Sequence, residues 1–271
     1  METIVKEGKY IYCVIESSQS QSFGSLGIGG RGDEVHTVCF EDIAAVVSNS
    51  PVIKYSISRE NMLAHEKAIE EVMKEHPVLP VRFATIAENE EMVKRILEKE
   101  HNKFKDLLDS IKDKKELGFK AVFIEEIVYK EILERYEDIK VLKEKIAALP
   151  PNATYYQRMQ IGKLVEEALE KEKEIYKEEI LDALRLLADE VKLNKTYGEK
   201  MIINSAFLVK KNKEAEFDQK VSELDTKLGY KIKFKYVGTV PPFNFVNLVI
   251  DTSTSLSVDG KRSRTIETGK Y

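Results

Sequence analysis

The chain has 271 residues, a length typical of about two domains. Charged residues make up 33% of it, yet 43 Lys and Arg against 47 Asp and Glu leave a net charge of only -4. This mixture favours solvated helices and excludes a basic nucleic-acid footprint at the level of net charge. No apolar run reaches the roughly 18 residues of a membrane span, and the first residues lack a secretory signal pattern. Because Cys13 and Cys39 are too few for a disulfide framework, we expect a cytoplasmic protein with reduced thiols.

The first part of the chain alternates between strand and helix patterns. Apolar runs predict strands at residues 9–16, 34–40, 43–48, 78–83 and 119–124. Apolar residues at helical spacing predict helices at residues 58–75 and 88–115, the first with Ser58 as its N-cap. The Ser-, Gln- and Gly-rich stretch at 17–32 is typical of a loop. Glu41 and Asp42 separate two strands by a distance that suits a hairpin, although this residue pair is not a favoured turn.

The middle of the chain predicts two long helices, at residues 125–148 and 154–193, with Glu and Lys on their outer faces. The break at Leu149-Pro150-Pro151 between them favours an antiparallel helical hairpin. Strand and helix patterns then return, with strands at 201–210, 230–240 and 244–250 and a helix at 214–228. In the strand at 230–240, Lys231, Lys233 and Lys235 fall on the predicted solvent face.

This order of elements predicts an α+β fold with two domains and mainly antiparallel, ferredoxin-like sheets. We place an N-terminal α+β domain of modified ferredoxin-like type at residues 1–116. A C-terminal α+β domain follows at 117–250, with the long helical insertion at 125–193. Residues 251–271 are rich in Ser, Thr and Lys without periodicity, and this composition predicts a flexible tail.

No motif for catalysis, cofactor binding or metal binding stands out. The glycine-rich stretch at 24–32 precedes a strand, whereas a phosphate-binding loop requires a helix there, so we interpret it as a flexible loop. His65-Glu66 resembles the start of a zinc-protease helix, but Ile69 occupies the second histidine position. Neither cysteine lies in a setting that would activate it. We therefore predict a protein that is not an enzyme and has no cofactor, metal or small-molecule substrate.

Two segments are hard to explain by structure alone. In residues 78–85, Arg82 precedes Phe83 within a predicted apolar strand, where a charge needs a partner. In residues 238–247, Pro242, Phe243, Asn244 and Phe245 follow a Pro-Pro turn. We predict these six residues as candidate partner contacts. The alternative is purely structural, with Arg82 in a buried salt bridge and the two phenylalanines in the core.

A third segment, Gly118-Phe119-Lys120-Ala121-Val122-Phe123, partly matches the aromatic strand with which RNA-recognition motifs stack bases. The residue before the glycine is Leu117 instead of a basic residue, and the chain is net acidic. This partial match leaves a ferredoxin-like RNA-binding or regulatory module as an alternative function.

Several segments together resemble the GvpF/GvpL family of gas vesicle proteins over roughly residues 9 to 250. After the opening aromatic strand, the matching segments are GIGG (27–30), DIAAVVS (42–48), LAHE (63–66), VLPVRFAT (78–85), LGFK (117–120), NSAFLV (204–209) and GTVPPFNFVNL (238–248). The chain departs from the family at Ala84, where glycine is usual, and at Phe243, where tyrosine is common. Because alanine disfavours a positive φ, we do not expect one at position 84. The segment after Asp251 is outside the resemblance.

The resemblance implies a non-enzymatic accessory or minor structural component of the gas vesicle. Proteins of this family are thought to bind the hydrophobic shell subunit, of the GvpA type, or other accessory proteins during vesicle nucleation and assembly, and to limit aggregation. It also implies a two-domain α+β fold with ferredoxin-like and helical parts. For this chain we accordingly expect a cytoplasmic location on the gas vesicle, with no nucleic-acid or membrane partner.

Overall fold

The computed structural model describes residues 6–246, Leu248 and Ile250, and of Pro151 and Asn152 the backbone alone. In chain order the elements are β1 (Glu7–Glu16), β2 (His36–Phe40), β3 (Ile43–Pro51), α1 (Arg59–Met73), β4 (Val78–Pro80), β5 (Ile86–Ala87), α2 (Glu90–Ile111), β6 (Lys114–Phe123), α3 (Glu125–Arg135), α4 (Glu137–Ala147), α5 (Tyr155–Arg185), β7 (Glu190–Leu193), β8 (Met201–Lys210), α6 (Glu214–Leu228) and β9 (Ile232–Val240). The predicted α+β class is confirmed, with two antiparallel sheets and six α-helices among these residues. None of the described helices combines the length and apolar composition needed to cross a bilayer.

The chain divides into two compact units. The described residues of the first are 6–68, 81–104, Leu248 and Ile250, and those of the second are 69–80 and 105–246. The predicted domain boundary at 116–117 stays a prediction, and β6 runs through this position. The ferredoxin-like arrangement and the helical hairpin also stay predictions. The predicted tail at 251–271 lies outside the described residues.

In the first unit, β1 is a central strand with β3 on one edge and β5 on the other, and β2 pairs with β3. Its apolar residues on both faces, from Tyr10 to Ile15, are almost completely buried, as the sequence predicts for a covered strand. The predicted hairpin between β2 and β3 is confirmed, because Phe40 pairs directly with Ile43. Glu41 accommodates this tight turn with a φ of 51°. The Ser58 hydroxyl accepts the Asn61 backbone N–H and caps α1, also as predicted.

In the second unit, the strand order is β7-β8-β6-β9 and all pairs are antiparallel. One face of this sheet forms a hydrophobic core with the helices, and its buried residues include Leu117, Phe119, Phe123, Phe207 and Ile232 from the strands and Phe217 from α6. Since side chains alternate along a strand, Lys120 on β6 points to the opposite face and is exposed.

The three longest predicted helices have the wrong boundaries. The helix predicted at 88–115 ends at Ile111, and β6 begins at Lys114 because Asp113 reverses the chain with a φ of 60°. The helix predicted at 125–148 is two helices, since Tyr136 between them has an extended conformation. The helix predicted at 154–193 ends at Arg185, and the residues beyond it form β7.

The strand predicted at 244–250 is wrong for the residues described there. Hydrogen bonds from Val246 N–H to Pro242 O (2.8 Å) and from Phe245 N–H to Pro242 O (3.1 Å) fold this segment into turns. Further along, Leu248 forms only an isolated bridge with Val81. Proline residues at 241 and 242 cannot donate to a sheet, which agrees with a turn at this point.

Candidate partner-binding segments

The segment at 78–85 is a strand only as far as Pro80, after which the chain turns. Arg82 is therefore not inside a strand, and its side chain is exposed. In the described part of the chain no carboxylate pairs with it, so the alternative of a buried salt bridge is wrong. Phe83 is half-buried, with its ring centroid 5.8 Å from the imidazole of His65 and 6.4 Å from the ring of Tyr10.

The turn after Pro80 is held by a chain of buried hydrogen bonds. His65 donates from Nε2 to the Val81 carbonyl at 3.2 Å, so its Nδ1 accepts the hydroxyl of Tyr10 at 3.0 Å. The Tyr10 hydroxyl in turn accepts the Ala84 N–H at 2.9 Å. Burial lowers the pKa of His65 to about 4 and raises the pKa of Tyr10, so both groups are neutral at pH 7. The LAHE and VRFAT motifs thus form one structural unit around His65.

Ala84 has a φ of 63°, in the left-handed region. The expectation of no positive φ at this position is therefore wrong. For an alanine this conformation costs about 1–2 kcal/mol, and glycine avoids the cost because it lacks a Cβ. The hydrogen bond from Ala84 N–H to Tyr10 helps to hold the strained residue in place.

The glycine-rich loop is held by a second tyrosine of β1, Tyr12. The Tyr12 hydroxyl accepts the Ile28 N–H at 2.8 Å and hydrogen-bonds to Ser48 Oγ at 2.9 Å. The Ile28 side chain is completely buried. Tyr12 of β1 thus holds the backbone of this loop at Ile28. This contact gives the Gly-Ile-Gly-Gly motif a structural role.

The second segment, around Pro242–Phe245, is fixed to β6 by a buried carboxylate. Glu116 is only 3% exposed and accepts two hydrogen bonds from Asn244, from its backbone N–H at 3.0 Å and its Nδ2 at 2.5 Å. Pro242 is buried and Phe245 is half-buried. Phe243 is 43% exposed, so the alternative that places it in the core is wrong.

A small cavity lies beside this turn, within the same unit. It is lined by residues that include His76, Lys115, Glu116, Leu208 and Pro242, and its volume is about 110 Å³. This is well below the roughly 300–1,000 Å³ of pockets that hold drug-sized ligands. The cavity has room for a few water molecules near the Glu116 carboxylate.

The predicted RNA-stacking strand does not present its aromatic residues. Phe119 is 0% exposed and Phe123 is 3% exposed, and both belong to the hydrophobic core. Phe119 packs against Phe234 with ring centroids 5.5 Å apart. Because base stacking needs accessible rings, this strand lacks the feature on which the RNA-binding alternative depends.

The structure contains a buried ionic cluster that the sequence did not predict. Lys231, expected on a solvent face, is 2% exposed and donates to Glu131 Oε2 at 2.6 Å and to the Tyr176 hydroxyl at 2.7 Å. Burial lowers the pKa of Lys231, but the bonds to Glu131 and Tyr176 more than offset this effect, and the pKa lies above its ordinary value. Lys231 precedes the first residue of β9, so strand alternation does not apply to it.

A second buried carboxylate, on α5, is bound by residues at the end of α3. Arg135 donates to Glu172 Oε1 at 2.8 Å, and the Tyr136 hydroxyl donates to the same oxygen at 3.1 Å. Glu172 is 5% exposed although it lies in the run of charged residues predicted to be solvated. Because the partners are 37 residues apart, nothing in the local pattern marks this glutamate as buried.

Among the described residues, one cluster of histidine and carboxylates has ligand atoms within 4.8 Å of one another: Glu41, Asp42 and His101. His101 Nε2 lies 2.7 Å from Asp42 Oδ1 and 3.5 Å from Glu41 Oε2. Both carboxylate residues are exposed, so the cluster is adequately described as a surface hydrogen bond between α2 and the β2–β3 turn.

The fold and these two segments define a two-sheet α+β protein in which buried hydrogen bonds hold two turns, one exposing Arg82 and the other Phe243. Residues 8–247 match the family model for gas vesicle synthesis protein GvpL/GvpF. The chain belongs to this family.

Individual relatives agree with that assignment. Gas vesicle protein F of Dolichospermum flosaquae is 24% identical over 242 residues, which cover 88% of this chain and 97% of the relative. Gas vesicle protein F1 of Halobacterium salinarum is 23% identical over 247 residues, covering 90% of this chain and 95% of the relative. The crystal structure of GvpF from Anabaena sp. PCC7120 has a TM-score of 0.76 at 24% identity, covering 90% of this chain and 99% of that one. That of GvpF from Microcystis aeruginosa has a TM-score of 0.71 at 24% identity, covering 89% of this chain and 99% of that one.

Proposed function

We propose that this chain is a non-enzymatic accessory or minor structural protein of the gas vesicle. In this role it binds the hydrophobic shell subunit, or another accessory protein, during nucleation and assembly and limits aggregation. It acts in the cytoplasm, in association with the vesicle. Family membership supports the accessory role.

One observation carries the assignment of the contact residues. In each motif segment, buried partners hold the backbone, and one side chain of a type enriched at protein interfaces, Arg82 or Phe243, is left exposed. His65 and Tyr10 hold the turn that exposes Arg82. Glu116 holds the turn that exposes Phe243. A side chain on an ordered turn loses little conformational entropy when a partner binds.

The proposed experiment is co-expression of this chain with the shell subunit, followed by pull-down and measurement of the subunit's soluble fraction. The wild-type chain is expected to retain the subunit and raise its soluble fraction. If neither quantity changes when the chain is present, the proposed function is wrong.

Matched variants test the contact residues. We expect Phe243→Ser to reduce recovery of the subunit about tenfold, as for a truncated hot spot. The control is Ile57→Ser, which removes a side chain that is 86% exposed outside the motifs. Arg82→Gln is likewise compared with Arg185→Gln, since both arginines are exposed. Equal effects of a variant and its control would contradict the assignment of that residue.

A further inference from the structure

The second sheet carries lysines on the side that faces away from its core. On β6, Phe119 and Ala121 belong to the core, so Lys120 between them points to the other side. By the same alternation, Lys233 and Lys235 of β9 point to that side. We call Lys120, Lys233 and Lys235 the lysine face.

The lysine face is an uncompensated positive surface. All three residues are exposed, and none has a carboxylate partner in the part of the chain that the structure describes. By contrast, Lys115 of the same sheet pairs with Glu214 at 2.6 Å. Lys120 lies directly opposite Lys235 in the register of β6 and β9. Like charges in directly opposed positions repel and destabilise a sheet, so an anionic partner would relieve this repulsion.

Protection of sheet edges does not explain the whole lysine face. Lysines on edge strands prevent unwanted strand pairing, and β7 and β9 are the two edges of this sheet. Lys120, however, lies on β6, which is paired on both sides, by β8 and by β9. A residue on an interior strand protects no edge, so Lys120 calls for another explanation.

The geometry of β9 indicates the form of the partner. Among the described residues β9 pairs only with β6, which leaves its other edge open along nine residues. A strand added along that edge would place every second side chain on the same side as Lys233 and Lys235. The aromatic rings of β6, Phe119 and Phe123, lie in the core, so this strand presents no ring for stacking bases. Carboxylates of a protein fit this surface better than a nucleic acid.

We propose that the lysine face binds an extended acidic protein segment, added as a strand along the open edge of β9, with its carboxylates at alternate positions. This inference is independent of the proposed gas vesicle role, because it concerns a different surface. It can be tested on the full chain without the shell subunit.

The probe is a fluorescein-labelled peptide of six Glu-Thr repeats, followed by anisotropy at several salt concentrations. We expect saturable binding that weakens as salt screens the charges. A peptide of the same composition, written as three repeats of Glu-Glu-Thr-Thr, is expected to bind about fivefold more weakly, because only half of its carboxylates can lie on one side of a strand. Equal affinities would overturn the strand-addition geometry. Tighter binding of a 12-nucleotide oligo-U RNA at the same salt concentration would overturn the proposed class of partner.

The critical variant is Lys120→Glu. It replaces a repulsive pair with an attractive Glu–Lys pair opposite Lys235, so the fold is expected to be at least as stable as in the wild type. The affinity for the alternating peptide should nevertheless fall about tenfold. The control Lys143→Glu makes the same change of net charge at an exposed residue of α4 and should leave the affinity within about twofold. The same loss in both variants would mean that net charge, and not the lysine face, attracts the peptide.

Discussion

Asn244 donates two hydrogen bonds to the carboxylate of Glu116, from a position 128 residues further along the chain. Burial raises the pKa of this carboxyl above its ordinary value, and the two bonds from Asn244 oppose the rise. The contact therefore does two things. It compensates a buried negative charge, and it fixes the turn that exposes Phe243.

Asn244→Ala should lower the free energy of unfolding by about 1–3 kcal/mol at pH 7, because the Glu116 carboxylate loses its side-chain donor. The loss should be smaller at pH 4.5. A raised folded-state pKa favours the protonated carboxyl, so its cost is present at neutral pH and disappears as the pH falls. Urea unfolding at both pH values measures this difference. Asn212→Ala, at an exposed asparagine, is the control, and an equal loss at both pH values would contradict the role of Glu116.

The sequence predicted best those elements whose signal is local. The bounds of β8 (Met201–Lys210) and α6 (Glu214–Leu228) were predicted without error. The apolar run of β8 ends at a lysine, and the amphipathic stripe of α6 ends at the capping Gly229. It failed where long-range pairing overrides a helical pattern. Residues 112–115 continue the period of α2, but Lys114 pairs with Lys210 of β8. Residues 190–193 continue α5 in the same way, but Val191 pairs with Phe207.

In the candidate site, too, the local segments were predictable from the sequence, whereas the long-range contacts were not. The resemblance identified the LAHE, VLPVRFAT and GTVPPFNFVNL segments, but spacing could not predict that His65 binds Val81 or that Asn244 binds Glu116. These contacts join side chains to distant backbone and carboxylate groups, and no local period encodes them. The resemblance thus identified the motif segments, and the hydrogen bonds of the structure show which contacts hold them.

Ala84→Gly should stabilise the protein by about 0.5–1 kcal/mol. Glycine removes the cost of a left-handed alanine, and its greater freedom in the unfolded chain cancels part of the gain. Thermal and urea unfolding measure the change. The control is Ala148→Gly, at a residue with a φ of -90°, where the same substitution should be neutral or destabilising. A loss of stability in Ala84→Gly would contradict the strain inferred from the φ of 63°.

His65 should make the protein sensitive to mild acid. Its pKa is about 4 in the folded state, because burial disfavours the imidazolium, against about 6.5 in the unfolded chain. The unfolded state therefore binds a proton first as the pH falls below 6.5, and stability declines until the pH reaches about 4. Between pH 7 and pH 5 this group accounts for a loss of about 2 kcal/mol.

The measurement is urea unfolding of the wild type and of His65→Gln from pH 7 to pH 5. Glutamine can still donate to the Val81 carbonyl but does not titrate, so its stability should vary less over this range. For each protein, the measurement gives the slope of the free energy of unfolding against pH. The difference between the two slopes isolates His65, because the contributions of the other titrating groups cancel. Parallel slopes would mean that His65 is protonated equally in both states.

Lys231→Met should destabilise the second unit by about 3 kcal/mol, since Glu131 and the Tyr176 hydroxyl lose the ammonium that they bind. The ammonium also lies 4.8 Å from the centroid of the Tyr176 ring, a contact that methionine only partly replaces. The double variant Lys231→Met with Glu131→Leu removes both charges and should recover part of the loss, because an apolar pair can replace a buried ion pair. Lys233→Met, two residues along at an exposed position, should change stability by less than about 0.5 kcal/mol. If the double variant is as unstable as the sum of the two single variants, the two charges do not act as a pair.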